Sequence, residues 1–186
     1  MNLVLASQSP RRRELLGLLN IPFTVRTSDG EETLLPGLSP REQAKRLSRL
    51  KAEAVARPGE VVIGADTIVV AGLKILGKPK NERHAEKMLR GLSGKTHKVI
   101  TGVTVVYDGG SISFAEETQV TFRKLTDKEI YGYVATGEPM DKAGAYGIQG
   151  GAAKFVSGIR GDYFNVVGLP VCALSQILEG MMEETQ

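Results

Sequence analysis

The stretch Leu3-Val4-Leu5-Ala6-Ser7-Gln8-Ser9-Pro10-Arg11-Arg12-Arg13-Glu14-Leu15-Leu16 sets the frame for the rest of the chain. Leu3 to Ala6 read as a short buried strand. A hydroxyl-bearing turn follows, then a proline and three arginines that open a helix. Ser9 suits the N-cap, where its side-chain oxygen accepts a backbone N–H. Pro10 suits the first helical position, where a missing N–H costs nothing. A helix start carries free N–H groups and the positive end of the dipole, and guanidinium geometry matches phosphate. Two readings are open. One is a helix start with solvated arginines; the other is an anion site whose bound anion offsets the repulsion between like charges and dipole.

Composition narrows the classes. A length of 186 residues suffices for one domain of ordinary size. A single cysteine, Cys172, excludes an internal disulfide framework and fits a reducing compartment. No apolar run reaches the roughly 18 residues of a membrane span, and the N-terminus does not resemble a secretory signal, so a cytoplasmic protein without a membrane partner is expected. A net charge of +3 with 5% aromatic residues argues against a nucleic-acid partner. The 22 glycines cluster in charged loops, which hints at sites built from backbone.

Working outward, Arg11 to Leu19 reads as helix with Leu15, Leu16, Leu18 and Leu19 on its buried side. Phe23 to Thr27 alternates as a second strand. Asp29-Gly30-Glu31-Glu32 is a turn rich in carboxylates, either solvated or able to ligate a hard cation. Ser39-Pro40-Arg41-Glu42 is a capping box that opens a helix to about Ala56, with Ala44, Leu47, Leu50, Ala54 and Val55 at helical spacing. Lys51 lies beside that stripe, as a snorkelling side chain or a phosphate contact.

Val61 to Thr67 is a β-branched run ending in Asp66, and open α/β sheets bind ligands at the carboxyl ends of strands. Ile68 to Leu76 reads as a hairpin, closed by Gly77-Lys78-Pro79. Asn81 caps a helix from Glu82 to Arg90 that stops at Gly91. Val99 to Tyr107 and Ser111 to Phe122 flank an Asp108-Gly109-Gly110 turn. Thr126 to Glu129 is a second capping box. The segment from Glu138 to Gly151 is a glycine-rich loop, either a plain surface loop or one whose backbone approaches a ligand. Ala153 to Ile159 and Tyr163 to Val167 read as strands, and a last helix starts at Leu169-Pro170.

There is no Walker loop, no Gly-x-Ser-x-Gly elbow and no Cys-His pair. With His84 and His97 as the only histidines, a zinc cage is not expected, and His97 reads as structural or exposed. What remains is several cations (Arg11, Arg12, Arg13, Lys51, Lys78, Lys95, Lys142) with several acids. That set suits metal-assisted hydrolysis of a polyphosphate.

The same residues carry a resemblance. Leu5-Ala-Ser-Gln-Ser-Pro-Arg-Arg12, Gly64-Ala-Asp-Thr67, Gly77-Lys-Pro79, Leu92-Ser-Gly94, the run from Glu138 to Gly150, and Gly161-Asp-Tyr163 to Gly168-Leu-Pro170 resemble the Maf family of nucleotide pyrophosphatases, in order and over nearly the whole chain. The resemblance implies an α/β fold with an elongated, twisted mixed sheet flanked by helices, shared with inosine triphosphate pyrophosphatases. It implies one domain over 1–186, with room for two lobes around a cleft. It also implies hydrolysis of nucleoside triphosphates to monophosphate and pyrophosphate with a divalent cation, Mg2+ or Mn2+. Arg11, Thr67 and Gln149 resemble the branch that prefers dTTP and UTP, rather than the branch acting on 7-methyl-GTP. By this resemblance Asp66 is the general base and, with Glu32, a metal ligand. Glu31 can replace Glu32 if the turn slips by one. Ser7, Arg12, Lys51 and Lys78 are assigned to phosphate, and Arg13 to solvent or the acidic loop. A homodimer is expected by family analogy. The competing reading is a nucleotide- or nucleic-acid-binding regulator of septum formation without turnover.

Overall fold

The computed structural model describes residues 1–30 and 33–183. Its seven strands are β1 (Leu3–Ala6), β2 (Phe23–Val25), β3 (Val61–Ala71), β4 (Lys74–Leu76), β5 (Thr96–Tyr107), β6 (Gly110–Phe122) and β7 (Val156–Arg160). They form one sheet in the order β2-β1-β3-β5-β6-β7, with β4 paired to β3. β1 is parallel to β2 and β3, whereas β4 is antiparallel to β3 and β7 to β6. The sheet is therefore mixed, as the family resemblance implies. No helix among the described residues is long and apolar enough to cross a membrane.

The chain forms two compact units, and β3, β5 and β6 contribute residues to each. The first unit comprises 1–66, 101–116 and the chain from Gly168. It holds α1 (Pro10–Gly17), α2 (Pro40–Glu53) and α6 (Val171–Glu183). Leu3, Leu5, Leu16, Ile63, Leu169 and Leu174 are its fully buried large side chains. α2 begins with both halves of the Ser39–Glu42 capping box in place.

The buried face of α2 is Gln43, Ala44, Leu47, Ser48 and Ala52. This departs from the predicted stripe, because Leu50 is 42% exposed and Ala54 is also exposed. The reason is backbone proximity. A β-carbon on Gly64 would fall 2.1 Å from the Ser48 carbonyl oxygen, and one on Gly102 would fall 2.2 Å from that of Ala44. Only small residues fit where helix and sheet touch so closely. Ser48 Oγ lies 2.8 Å from Thr104 Oγ1, so the buried hydroxyls satisfy each other. In α1 the predicted apolar side is only half realised: Leu15 and Leu16 are buried, whereas the helix ends at Gly17 and leaves Leu18 exposed.

The second unit comprises 67–100 and 117–167, with α3 (Glu82–Leu92), α4 (Asp127–Val134) and α5 (Tyr163–Val167). Leu89, Leu92, Ile100, Phe122, Ile130 and Phe155 are fully buried in it. α3 runs through Gly91 to Leu92, and the left-handed turn falls at Gly94, φ 68°. Thr96 and His97 belong to β5 rather than to a polar connection. Gly151–Phe155 is a short 3-10 helix, so the strand predicted from Ala153 starts only at Val156. Tyr163–Val167 is helical despite its β-branched and aromatic residues. Asp162 Oδ1 accepts the Phe164 N–H at 2.8 Å, and this local bond turns the chain before a strand can form.

Candidate active site

In the first unit, the helix start is built as its sequence predicts. Ser9 is extended, φ −66° and ψ 117°, and its side chain accepts the Arg12 N–H, while Pro10 fills the first turn. Ser7 Oγ accepts the Ser9 N–H at 3.2 Å and lies 3.3 Å from Arg12 Nη1. Arg12 Nε donates to the Gly168 carbonyl at 2.8 Å. These bonds orient the guanidinium, which matters because it recognises anions through directed N–H groups rather than as a point charge. Arg11 is half-buried. Arg13 is exposed and, with Ser7, Gln8, Ser9, Pro10, Val25 and Thr27, lines a pocket of about 270 Å³. Arg13 is thus exposed, in keeping with the solvent-facing expectation, and also borders this pocket at the helix start.

Asp66 lies in the middle of β3, not at a strand end. Strand alternation puts it on the same face as Gly64, the face that α2 covers. Lys51 follows Ser48 by about one helical turn, so it arrives where Asp66 emerges. Its Nζ is 2.6 Å from Asp66 Oδ1, with side chains 25% and 9% exposed respectively. The close approach at Gly64 thus creates a shielded carboxylate beside an ammonium.

Thr67, Lys78 and Gln149 belong to the second unit. Thr67 is half-buried, while Lys78 and Gln149 are exposed. The turn that carries Lys78 is tied to the glycine-rich segment, because Gly77 O accepts the Gly144 N–H at 3.1 Å. Gly144 has φ 71°, and a β-carbon there would meet Val69 at 3.0 Å, so only glycine fits without strain. The segment is not an open loop but a chain of short 3-10 helices at Glu138–Asp141, Ala143–Ala145 and Gly151–Phe155. His97 is structural: it is 2% exposed, and its Nε2 lies 2.6 Å from Tyr146 Oη. Burial lowers its pKa to about 4, so the ring is neutral at pH 7. Sequence patterning missed the Tyr146 contact, although a histidine alternating with apolar residues on a strand is the available signal.

Glu31 and Glu32, the expected acidic metal ligands of the loop, lie outside the described residues. Among the described residues, no group of three or more His, Cys, Asp or Glu side chains is arranged to hold a metal. Asp66 is a single hard oxygen donor, paired with a lysine. Among the described residues, that single donor suits a magnesium-type ion, which is commonly held by one or two carboxylates together with substrate phosphates, rather than a closed protein cage.

Comparison with known proteins gives the family. The Maf-like protein family model matches residues 2–181. A dTTP/UTP pyrophosphatase of Geobacillus sp. (strain WCH70) is 54% identical over 171 residues, covering 91% of this chain and 92% of that protein. A dTTP/UTP pyrophosphatase of Bacillus pumilus (strain SAFR-032) is 52% identical over 179 residues, covering 95% of each. The Ham1 protein of Staphylococcus aureus shares the fold, with a TM-score of 0.55 at 16% identity, covering 97% of this chain and 100% of that one. On a family match of that extent and relatives of that identity, the chain belongs to the Maf-like protein family.

Proposed function

We propose that this protein hydrolyses nucleoside triphosphates, with dTTP and UTP preferred, to the monophosphate and pyrophosphate. The observation that carries the reading is the shielded Asp66 carboxylate held beside Lys51 in the unit that also presents Ser7 and Arg12. Relatives at about half identity, named dTTP/UTP pyrophosphatases, support the substrate class.

In this mechanism Asp66 accepts a proton from water as its oxygen attacks the α-phosphorus. The bond from the α-phosphorus to the bridging oxygen breaks, and pyrophosphate leaves. Lys51 holds Asp66 in place and keeps a positive charge near the departing phosphates. Ser7 and Arg12 bind the phosphates that leave, through a hydroxyl and an oriented guanidinium. Lys78 is the exposed cation that the second unit offers to phosphate. Base selection is assigned to Arg11 in the first unit and to Thr67 and Gln149 in the second, since polar groups left unpaired by a wrong base penalise its binding. Asp66 is the described residue that would hold a divalent cation, Mg2+ or Mn2+. Such an ion, when bound, neutralises phosphate charge and lowers the pKa of water.

The test is pyrophosphate release from a panel of eight nucleoside triphosphates, with Mg2+ or Mn2+ and with chelator. Release that is fastest with dTTP and UTP and abolished by chelator is the expected result. No release from any nucleotide by folded protein overturns the proposal.

A further inference from the structure

The turn that carries Gln149 is held at both ends by two side chains of its own unit. Gly150 N donates to Gly147 O at 3.2 Å, closing a turn with Ile148 and Gln149 at its centre. Ile148 is buried and Gln149 is exposed, so the turn has an anchored side and a presenting side. At one end, Gly147 N donates to Tyr133 Oη at 3.3 Å. At the other, Gly151 N donates to both carboxylate oxygens of Glu138, each at 3.1 Å. Tyr133 Oη donates to Glu138 Oε1 at 2.9 Å, so the two supports are joined.

Both supports are themselves fixed. Tyr133 is 3% exposed and packs edge-on against Phe155, with ring centroids 5.4 Å apart. The backbone of Glu138 donates to Thr136 Oγ1 at 3.2 Å, and its carbonyl accepts Lys142 Nζ at 2.8 Å. The carboxylate sits so close to the turn that a β-carbon on Gly150 would fall 1.9 Å from Oε1. Glycine is thus required at Gly150 to let the glutamate reach the backbone.

We infer that Glu138 and Tyr133 are positioning residues for nucleobase selection: they clamp the turn from Gly147 to Gly151 and so aim the Gln149 amide. This rests on the reading of Gln149 as the base-contacting side chain. An amide discriminates between base edges only if its donor and acceptor are held in one orientation. With the clamp released, the turn re-aims the amide, and bases that present different edges become more alike in binding. None of the residues proposed to act at phosphorus lies in this turn.

The experiment measures kcat and KM for dTTP and dCTP, with thermal unfolding, in wild type, Glu138→Gln, Tyr133→Phe, Gln149→Ala and the double variant Glu138→Gln/Gln149→Ala. Glutamine puts an N–H donor where the turn and Tyr133 require acceptors. Its expected effect is an increase of about tenfold in KM for dTTP and a fall of about tenfold in the dTTP-over-dCTP ratio of kcat/KM, with kcat within about twofold. Tyr133→Phe, which keeps the ring packing, lowers the ratio about threefold. In the Gln149→Ala background, Glu138→Gln changes the ratio no further. The inference is overturned if the ratio survives in both Glu138→Gln and Tyr133→Phe while Gln149→Ala abolishes it, or if the losses are equal for both nucleotides. A further fall in the ratio in the Gln149→Ala background also overturns it. If Gln149→Ala itself leaves the ratio unchanged, the base-contact reading of Gln149 fails and the clamp has no base reader to aim.

Discussion

Asp66 and Lys51 form an ion pair whose two members are unequally shielded, the acid side chain 9% exposed and the lysine side chain 25%. The inequality predicts unequal costs of removal. Lys51→Met leaves a carboxylate out of water without its partner and is expected to destabilise by about 1–3 kcal/mol. Asp66→Asn leaves a lysine that extends to solvent, at a smaller cost. Urea unfolding of the two variants and the double variant checks this, and the double variant should recover part of the Lys51→Met loss. Equal costs for the two single variants would contradict the asymmetry.

The same pair separates stability from catalysis. If Asp66 takes the proton from water, Asp66→Asn lowers kcat by about 10²–10⁴-fold while the protein stays folded. Lys51→Met lowers kcat less, because it disturbs the placement of the acid without removing it. Steady-state pyrophosphate release, normalised to folded protein by circular dichroism, gives both values. An Asp66→Asn variant with wild-type kcat removes Asp66 from the proposed role.

Close packing under α2 yields a third expectation. Gly64→Ala places a methyl group 2.1 Å from the Ser48 carbonyl, so helix or strand must shift, at an expected cost of about 1–3 kcal/mol or more. Because Lys51 lies one turn beyond Ser48, the shift also separates Lys51 from Asp66, and activity should fall with stability. Gly91→Ala is the contrast. Gly91 is exposed within α3, with no atom within 4 Å of an added β-carbon, so alanine should stabilise by up to about 1 kcal/mol. Denaturation midpoints of the two variants should move in opposite directions.

These contrasts also mark what a sequence reader could and could not see. Helix starts at Ser9, Ser39, Asn81 and Thr126 are legible because capping is local chemistry, decided within four residues. The strand status of Tyr163 to Val167 is misjudged because one Asp162 hydrogen bond outweighs β propensity. Asp66 is identifiable as a candidate base but not as a mid-strand residue, since β3 continues through it to Ala71. The Lys51–Asp66 pair is invisible at that level. It depends on Gly64 and Gly102, distant in sequence, both lying under α2. The Glu138–Tyr133 clamp is hidden for the same reason: its four hydrogen bonds join residues whose spacing follows no helix or strand period.

Arg12 provides a test that separates charge from geometry. Its Nε–H bond to the Gly168 carbonyl, 2.8 Å, is one that lysine cannot reproduce while also reaching Ser7. Arg12→Lys therefore keeps the charge but loses the directed fork. The expected result is an increase of about tenfold in KM for the triphosphate, with a smaller change in kcat. An unchanged KM in Arg12→Lys would mean that only the net charge at the helix start matters.

His97 makes the stability of the protein depend on pH in a defined window. Burial lowers its pKa from an ordinary 6.5 to about 4, so the folded state resists taking up a proton that the unfolded state accepts. Above pH 6.5 both states hold a neutral ring and there is no dependence. Between about 6.5 and 4 the unfolded state binds one more proton, so stability falls as pH falls, by up to about 1.4 kcal/mol per pH unit. Below about 4 this contribution is fully lost and the slope ends. Carboxylates act in a different window: Glu129, held down to about 2 by Arg123 and the Thr126 backbone, loses its contribution only as pH falls below 4.5. His97→Asn removes the titrating ring, and with it the slope between pH 6.5 and 4.5. Its overall stability is also lower, because Tyr146 Oη loses its 2.6 Å partner and Phe122 loses an edge contact. Urea unfolding of both proteins at intervals between pH 4.5 and 7.5 isolates the effect, since every other group cancels in the difference. The two curves should converge as pH falls, and a difference that stays constant with pH would show that the folded protein protonates His97 as readily as the unfolded chain does.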